Sequence, residues 1–594
     1  MHFVETDILV VGAGGAGLRA AVEARSRGAR VLLLDKGTPG LAGTTSNAAS
    51  DWMAFAAALG HADPRDSPRE HWIDILVKGG LVCKPELARL VATEAPQRLL
   101  ELETWGAAFD KTADGRFIQI LSDGARFPRA CGRGAETGSV IAAALLERAR
   151  WLGVSFMPQV AVLDLLVDDG HPRTVIGALA VNLPDGATLA VLCPAVILAT
   201  GGAGAIYSIN AFPPGMTGDG YAIALRAGVP LVNMEFIQIG PTIVSPFKFA
   251  LSGAFWRLSP RITNVLAEEF IPRYLPPDAD VRDVLRLKAT SYPFTVRNAS
   301  KWVDVAIFSE ILQGRATANS AVFLDVSHNP PGRIEREAQV PLEHLLEKGL
   351  DIRAKPVEFA PAVQHFNGGI AINENAATSL PGLFACGEVA GGYHGSDRPG
   401  GDALAAAQVF GKIAGEAAAR YLESFGLGGL SKVYASRALQ EAALREQKWL
   451  SAAHVDASGA RLSLAEIGSR LGSAMWRNVS IIRTQESLKE ALRSLSELRA
   501  SLPAPDPDSL PEFAALADSL AVAEAVAVAA LLRTESRGTH YRADCPHVNS
   551  PAWQRQILLA LSPEGEFRHS FRPTAVPEEL GDLASLLEPL GSRQ

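Results

Sequence analysis

About two-thirds along the chain, residues able to grip or protonate an anion crowd into one Gly-rich stretch. His365 lies in a turn with Gly368 and Gly369, Glu388 follows Gly387, and His394 and Arg398 precede Gly400-Gly401. Between them Pro381-Gly382 turns into a short apolar strand, Leu383 to Cys386, and an Ala-rich helix opens at Asp402. A strand that runs into an acid, then glycines, then a helix N-terminus suits a bound cofactor. The carboxylate accepts from hydroxyls, the glycines let backbone come close, and the helix dipole favours negative charge. An ordinary strand–loop–helix connection has the same pattern, so the surrounding elements must decide.

The start of the chain supplies them. Asp7 to Val11 (DILVV) reads as a buried strand, followed by Gly12-Ala13-Gly14-Gly15-Ala16-Gly17 and an Ala-rich helix to Arg27. A second strand, Arg30 to Leu34, ends in Asp35-Lys36, which places an acid 23 residues after Gly12. This is a βαβ unit with G-x-G-x-x-G between strand and helix. Its glycines allow a tight turn, approach of a pyrophosphate and close helix packing, and Asp35 is placed to accept from an adenosine ribose. A dinucleotide is therefore expected.

Later segments indicate which one. Thr44-Thr45-Ser46-Asn47-Ala48-Ala49 is a small polar run of the kind that passes along a flavin. Val196 to Leu198 leads into Ala199-Thr200-Gly201-Gly202, and Met216-Thr217-Gly218-Asp219-Gly220 precedes another helix. A nicotinamide site does not need these returns to the cofactor, and FAD does.

Composition narrows the partners. The 594 residues carry a net charge of −8 and no basic run, so nucleic acid is not expected. That length allows roughly three to four domain-sized units. Cys83, Cys131, Cys193, Cys386 and Cys545 form no C-x-x-C pair. This argues against a disulfide framework, a zinc site or an iron–sulfur cluster held by this chain alone; no metal site is expected. The first strand starts near Thr6, which leaves no room for a signal peptide, and the longest apolar run, Ala525 to Leu532, is too short to span a bilayer. Cytoplasm is the default expectation. Leu488, Leu492, Leu495 and Leu498 recur at helical spacing and read as a packing stripe.

The strings VVGAGGAGLRAA, ATGGAG, TGDG, MEFIQIGPT, FNGGI, PGLFACGEV, HGSDRPGG and TESRGTHYRADCP together resemble the flavoprotein subunit of succinate dehydrogenase and fumarate reductase, and L-aspartate oxidase. The matching segments run from about Thr6 to Trp553. The resemblance implies an α/β fold: an FAD-binding Rossmann-like domain (1–236 and 362–425), an inserted α+β capping domain (237–361), a C-terminal helical domain (426–564) and an extended or mobile tail (565–594). It implies FAD contacts at Gly12, Gly14, Gly15, Ala16, Asp35, Lys36, Thr44, Thr45, Ser46, Ala199, Gly201, Asp219, Glu388, Ala403 and Leu404. In succinate dehydrogenases a histidine attaches FAD covalently. Thr45 stands at that position, so non-covalent FAD is expected.

The family grips one substrate carboxylate with residues matching His365 and Arg398, and His394 matches a further family histidine. The other half of its site is absent. Gly240 replaces the histidine of Q-F-H-P-T, and Leu251 and Ser252 replace Thr and Glu of L-I-T-E-G. The proton-shuttling arginine falls at or beside Ser300, so Arg297 or Lys301 is expected to substitute for it. The resulting reading is an FAD-dependent oxidoreductase whose substrate carries one carboxylate anchor. Its candidate partner is an iron–sulfur protein that transfers electrons. A dicarboxylate enzyme of the family, an adenylylsulfate-reductase-like chain and a non-catalytic FAD-binding scaffold are the alternatives.

Overall fold

The computed structural model describes residues 2–48, 50, 52–170, 172–423, 432–451, 462–505, 508–549, 552–581, 583 and 586. Its central sheet is five-stranded and parallel, in the order Leu383–Ala385, Ala195–Leu198, Ile8–Val11, Val31–Asp35, Ser155–Pro158. Every residue of Ile8–Val11 and Ala195–Leu198 is buried, as expected for strands covered on both faces. The helices Gly15–Ser26 and Asp402–Glu423 cross in close contact because the second carries glycines at the crossing. A Cβ on Gly411 would stand 2.7 Å from the Ala16 carbonyl oxygen. A second sheet joins Val160–Asp168, Thr174–Asn182, Thr188–Leu192 and the N-terminal strand His2–Glu5. The helix Lys432–Leu450 packs on it through Ala438, Ala442 and Trp449.

The inserted domain hangs on one ladder. Its first strand, Ile237–Ser245, pairs antiparallel with its last, Val357–Phe366, setting Gln238 opposite His365 and Gly240 opposite Ala362. Phe249–Ala250 flanks the ladder on one side, and Val322–Asp325 and Arg261–Thr263 extend it on the other.

C-terminal helices Leu464–Val479, Gln485–Ala500 and Leu510–Leu532 pack against one another. Capping boxes at Ser463 and Thr484 fix where the first two begin. Leu488, Leu495 and Leu498 are buried and Leu492 partly so, as a packing stripe requires. Leu510–Leu532 is long and apolar enough to cross a membrane by length and composition, beyond what the run Ala525 to Leu532 suggests. In the fold it is a core helix, with Leu520, Val522, Ala523 and the residues from Ala525 to Ala527 buried.

The segment after Glu564, expected as an extended or mobile tail, is in part a strand of the fold: Phe567–Pro573 pairs antiparallel with Arg555–Leu561, register Ile557 to Phe571. That hairpin joins Leu231–Val232, Gly369–Ala371 and Ala390–Gly391 in a single sheet. Apolar residues alternate weakly in the outer strand, which faces solvent along most of its length, so the sequence shows little strand signal there. Beyond it Leu580 and Leu583 are buried.

The string TESRGTHYRADCP forms a buried charged knot. Arg533 pairs with Glu235 at 2.7 Å and Glu535 at 3.0 Å, and Arg537 pairs with Glu535 at 2.6 Å, all from buried side chains. The Arg533 guanidinium lies over the rings of Phe236 and Trp553. From this knot the chain reaches outward: the Thr539 N–H and hydroxyl both donate to the Ser396 carbonyl, Arg537 Nη1 donates to the Gly80 carbonyl, and the Val296 N–H donates to the Gly538 carbonyl. Glu235→Ala is expected to cost about 3–5 kcal/mol of stability, since it strips a carboxylate from a buried guanidinium. Urea unfolding checks this, and a midpoint equal to wild type would contradict it.

Candidate functional site

A cavity of about 990 Å³ lies between the parallel sheet and the inserted domain. One wall carries Gly12, Gly14, Gly15, Ala16, Asp35, Thr44, Thr45, Ala199, Gly201, Glu388, Ala403 and Leu404; His365, Arg398 and Arg297 line it too. Two helices start there. Gly14, the residue before Gly15–Ser26, offers no side-chain cap; the Thr45 hydroxyl accepts the Gly15 N–H, and the helix turns its positive end to the cavity. Gly401 and Asp402 open the second. Gly12 needs to be glycine: its φ is +100° and a Cβ would stand 2.5 Å from the Ala199 carbonyl oxygen.

Three expected cofactor contacts face elsewhere. Lys36 and Asp219 pair with each other at 2.6 Å, and Lys36 also donates to the Thr217 hydroxyl, so this pair clamps two loops behind the wall. Ser46 donates its hydroxyl to the Gly40 carbonyl and so anchors the one-turn helix Thr44–Asn47 that carries Thr44 and Thr45. Opposite charge and a nearby carbonyl captured these side chains, so they hold the wall in place.

The candidate anion-gripping pair is assembled from two separate segments. His365 comes from the last strand of the inserted domain's ladder, and Arg398 from the loop that follows His394. Gln238, on the opposite strand, donates to the Asp397 carboxylate and the Arg398 carbonyl, each at 2.8 Å, and so ties ladder to loop. His365 Nε2 and Arg398 Nε are buried and have no hydrogen-bond partner among the described residues. Such donors are left for a ligand to satisfy. Burial, with the Arg398 charge adding, pushes the His365 imidazole well below its usual range, so it is neutral at pH 7.

Behind His365 Nδ1, at 3.3 Å, lies Glu388, whose carboxylate accepts the Phe366 N–H. Burial pushes the Glu388 carboxyl up to about 7, against the pull of that N–H and of Arg398. When Glu388 carries its proton it can donate to Nδ1, leaving the hydrogen of His365 on Nε2, toward the cavity. His394 does not reach the cavity. Its ring meets His365 edge-on at 5.4 Å and Tyr393 at 4.5 Å, so it buttresses the His365 imidazole.

The two candidates for proton transfer separate cleanly. Arg297 lines the cavity, partly buried, with Asp397, Asp123 and Asp74 contributing the negative field around it. Lys301 begins the helix Lys301–Leu312 and turns away, its ammonium over the rings of Trp302 and Tyr541 at 5.0 and 5.5 Å. The hydrogen bond from Val296 to Gly538 fixes the turn that sends Arg297 inward.

The missing half of the grip is filled differently from what the sequence suggests. Gly240 lies under the Gln364 side chain, where a Cβ would meet Gln364 Oε1 at 2.6 Å. Gln364 lines the cavity and Leu251 does not; Ser252 does, but its hydroxyl caps the helix Gly253–Arg257 by accepting the Ala254 N–H. Arg257, at the end of that helix, also faces the cavity. Gln364, Arg257, Lys78 and Asp123 are among the lining residues that sequence reasoning missed. Only the loop Ser122-Asp123-Gly124 carried a local signal, a turn.

Residues 7–404 match the model of the FAD binding domain, and residues 468–579 match that of the fumarate reductase flavoprotein C-terminal domain. The chain belongs to the fumarate reductase and succinate dehydrogenase flavoprotein family. It is 36% identical to a subunit of the CoM/CoB fumarate reductase of Methanothermobacter marburgensis, over 95% of its own length and 98% of that protein. To L-aspartate oxidase of Streptomyces coelicolor it is 30% identical, covering 94% of itself and 92% of that protein. Among solved structures, Sdh1 of Mycobacterium smegmatis superposes with a TM-score of 0.82 at 32% identity, covering 97% of this chain and 96% of that one. An adenosine-5-phosphosulfate reductase, at 19% identity and a TM-score of 0.72, shares the fold.

The chain is thus an FAD-dependent oxidoreductase, and its cavity fits that cofactor. The Thr44 and Thr200 hydroxyls and the Trp52 indole N–H are buried lining groups without a partner among the described residues, as a polar ligand requires. Glycines clear the backbone beside the first helix N-terminus, which suits a pyrophosphate.

Glu388 gives a pH test. Its folded pKa of about 7 lies above the ordinary value of 4.5, so the folded protein holds a proton that the unfolded chain has lost. Stability from this group therefore falls as pH rises from 4.5 to 7 and is flat above. Glu388→Gln should gain on wild type across that window and keep the gain at higher pH in urea unfolding. Parallel curves from pH 4 to 8 would contradict it.

Proposed function

We propose that the enzyme transfers hydride between FAD and a substrate held by a single carboxylate, at a C–C or C–N bond. The observation that carries this is the asymmetry of the grip: His365 Nε2 and Arg398 Nε have no partner among the described residues, while Gly240 and the overlying Gln364 occupy the place of the second family anchor. A planar guanidinium donates two parallel hydrogen bonds to a carboxylate and a neutral imidazole N–H adds a third. Gln364 offers an uncharged amide in place of a cationic donor, which suits a carbonyl, hydroxyl or amide in the substrate better than a second carboxylate. A carboxylate there loses water without gaining a charge-assisted partner.

Bound in the cavity, FAD supplies the hydride chemistry. Gly12, Gly14, Gly15, Asp35 and Thr44 would hold its pyrophosphate and ribose, and Glu388, Ala403 and Leu404 would lie along the rest. His365 and Arg398 fix the substrate carboxylate, the inserted domain excludes water, and Arg297 passes the proton at the carbon next to the one that exchanges hydride. Thr45 carries no ring nitrogen and accepts the Gly15 N–H at 3.0 Å, so FAD would be held without a covalent bond. Acid precipitation should then release the yellow colour into the supernatant; flavin fluorescence on the denatured polypeptide band would refute this. Two relatives named as subunits support a partner chain, for which an iron–sulfur electron-transfer protein is the candidate.

Arg257 favours a second reading. This cation faces the cavity from the end of Gly253–Arg257, half-exposed beside Glu337, and could anchor a second carboxylate as in a dicarboxylate enzyme. A panel of mono- and dicarboxylates, saturated and unsaturated, separates the two by flavin reduction or by reoxidation of the reduced enzyme. The one-anchor reading expects a monocarboxylate to react fastest; succinate, fumarate or aspartate in first place would hand the site to the dicarboxylate reading. In either case Arg398→Ala should leave FAD bound and lose about 100- to 10,000-fold in kcat/KM, since two charge-assisted bonds contribute roughly 3–6 kcal/mol.

A further inference from the structure

One buried carboxylate stands apart from the rest. Among the described residues, every other buried Asp or Glu has a Lys or Arg within ion-pair distance. Lys78 serves both Asp123 and Asp397, and Arg129 serves both Asp66 and Asp74. Asp402 has only an imidazole. Its Oδ1 lies 2.8 Å from His71 Nε2, and both side chains are fully buried.

Two helices bring the pair together. His71 belongs to Pro68–Lys78, which Ser67 caps by accepting the Glu70 N–H, and Asp402 is the first residue of Asp402–Glu423. Gly401, just before it, has a φ of +94° and comes so close to Ala56 that a Cβ would stand 2.9 Å from its nitrogen. The Ala56 N–H donates to the Gly401 carbonyl at 3.2 Å. Gly400, Gly401, Ala403 and Leu404 line the cavity, while Asp402 turns away from it to His71. His71 Nδ1 and Asp402 Oδ2 have no partner among the described residues. An imidazolium would bury a second N–H with nothing to receive it. The ring is therefore neutral, its one hydrogen on Nε2 and donated to Oδ1. The pair carries one negative charge, which offsets part of the positive end that this helix turns to the cavity.

We propose that Asp402, held by His71, lowers the reduction potential of bound FAD and so makes the reduced enzyme a stronger electron donor. Arg398 lies four residues before Asp402. Hydride passes only where the flavin ring meets the gripped substrate, so the ring end of FAD belongs at this helix end, a placement that rests on the proposed grip. Two electrons arriving with one proton leave one negative charge there. A buried anion directly behind the cavity wall opposes that charge, and the low dielectric of its surroundings keeps the opposition strong. His71 supplies a hydrogen bond without a charge. It holds the carboxylate in place and leaves its field intact, where a Lys or Arg would cancel it. Both are positioning residues, since neither lines the cavity.

The test is a redox titration of the FAD-loaded enzyme without substrate, driven by xanthine and xanthine oxidase with viologen mediators. Wild type is compared with Asp402→Asn, Asp402→Ser and His71→Gln. Asp402→Asn keeps the shape and the acceptor and loses the charge. At a fixed potential it should shift the ratio of reduced to oxidised FAD about tenfold or more toward reduced, which is about 30 mV for a two-electron couple. Asp402→Ser should shift it the same way. His71→Gln keeps a neutral donor and should titrate with wild type; a lower potential there would show that His71 carries a charge and would overturn the proposal. Wild-type potentials in both Asp402 variants overturn it as well. So does loss of FAD from both, since a charge that only tunes the couple is not needed to bind it. If no carboxylate reacts with wild type, the grip fails by itself. The titration needs no substrate and still decides whether Asp402 acts on FAD.

Discussion

A buried guanidinium and imidazole can grip an anion only if nearby acceptors are already engaged. Around Arg398 and His365 most of them are. Asp397 is held by Gln238 and Lys78, Glu388 by the Phe366 N–H, and the Ser396 carbonyl by Thr539. If any of these carboxylates turned onto Arg398, the pair would satisfy itself, and a substrate would have to displace a bond instead of making one. The ladder between Ile237–Ser245 and Val357–Phe366 enforces the arrangement, since a slip of one residue would turn both Gln238 and His365 to the opposite face.

The charged knot of the C-terminal domain extends this control. It reaches the substrate loop through Thr539, the Lys78 helix end through Arg537, and the approach to Arg297 through Gly538. Three groups that must converge on one cavity are therefore referenced to one rigid, buried cluster. Its charges are paired with one another, which suits a role in positioning, because burying an ion pair adds little stability by itself but punishes loss of a partner.

Much of this was legible in the sequence where the physics is local. G-x-G-x-x-G, the acid at Asp35 and the strand–Glu388–helix pattern each need only a dozen neighbouring residues to define a turn and a helix end. Gln364 over Gly240 was not legible, because the two residues are 124 positions apart and meet only through strand register. Lys78 and Asp123 were missed for a related reason: each reads alone as a solvated charge, and only the fold buries them together. Arg297 and Lys301 are four residues apart, but the first lies in the turn before the helix and the second at its start, so their side chains leave in different directions. Context also overrides composition in Leu510–Leu532, which has a membrane helix's length and apolarity but spends its apolar surface on neighbouring helices.

The same constraints explain why one half of the site could change while the other did not. Free donors at His365 and Arg398 depend on at least four other segments, so altering them disturbs the loop, the ladder and the knot together. The second-anchor position depends on one residue of one strand. Once it is glycine, Gln364, which the partner strand leaves unpaired at a register shift between Val363 and His365, can fold over the gap. A neutral amide in that place carries no desolvated charge, so it needs no buried carboxylate to balance it, and the cost of substituting it falls on substrate choice more than on the fold.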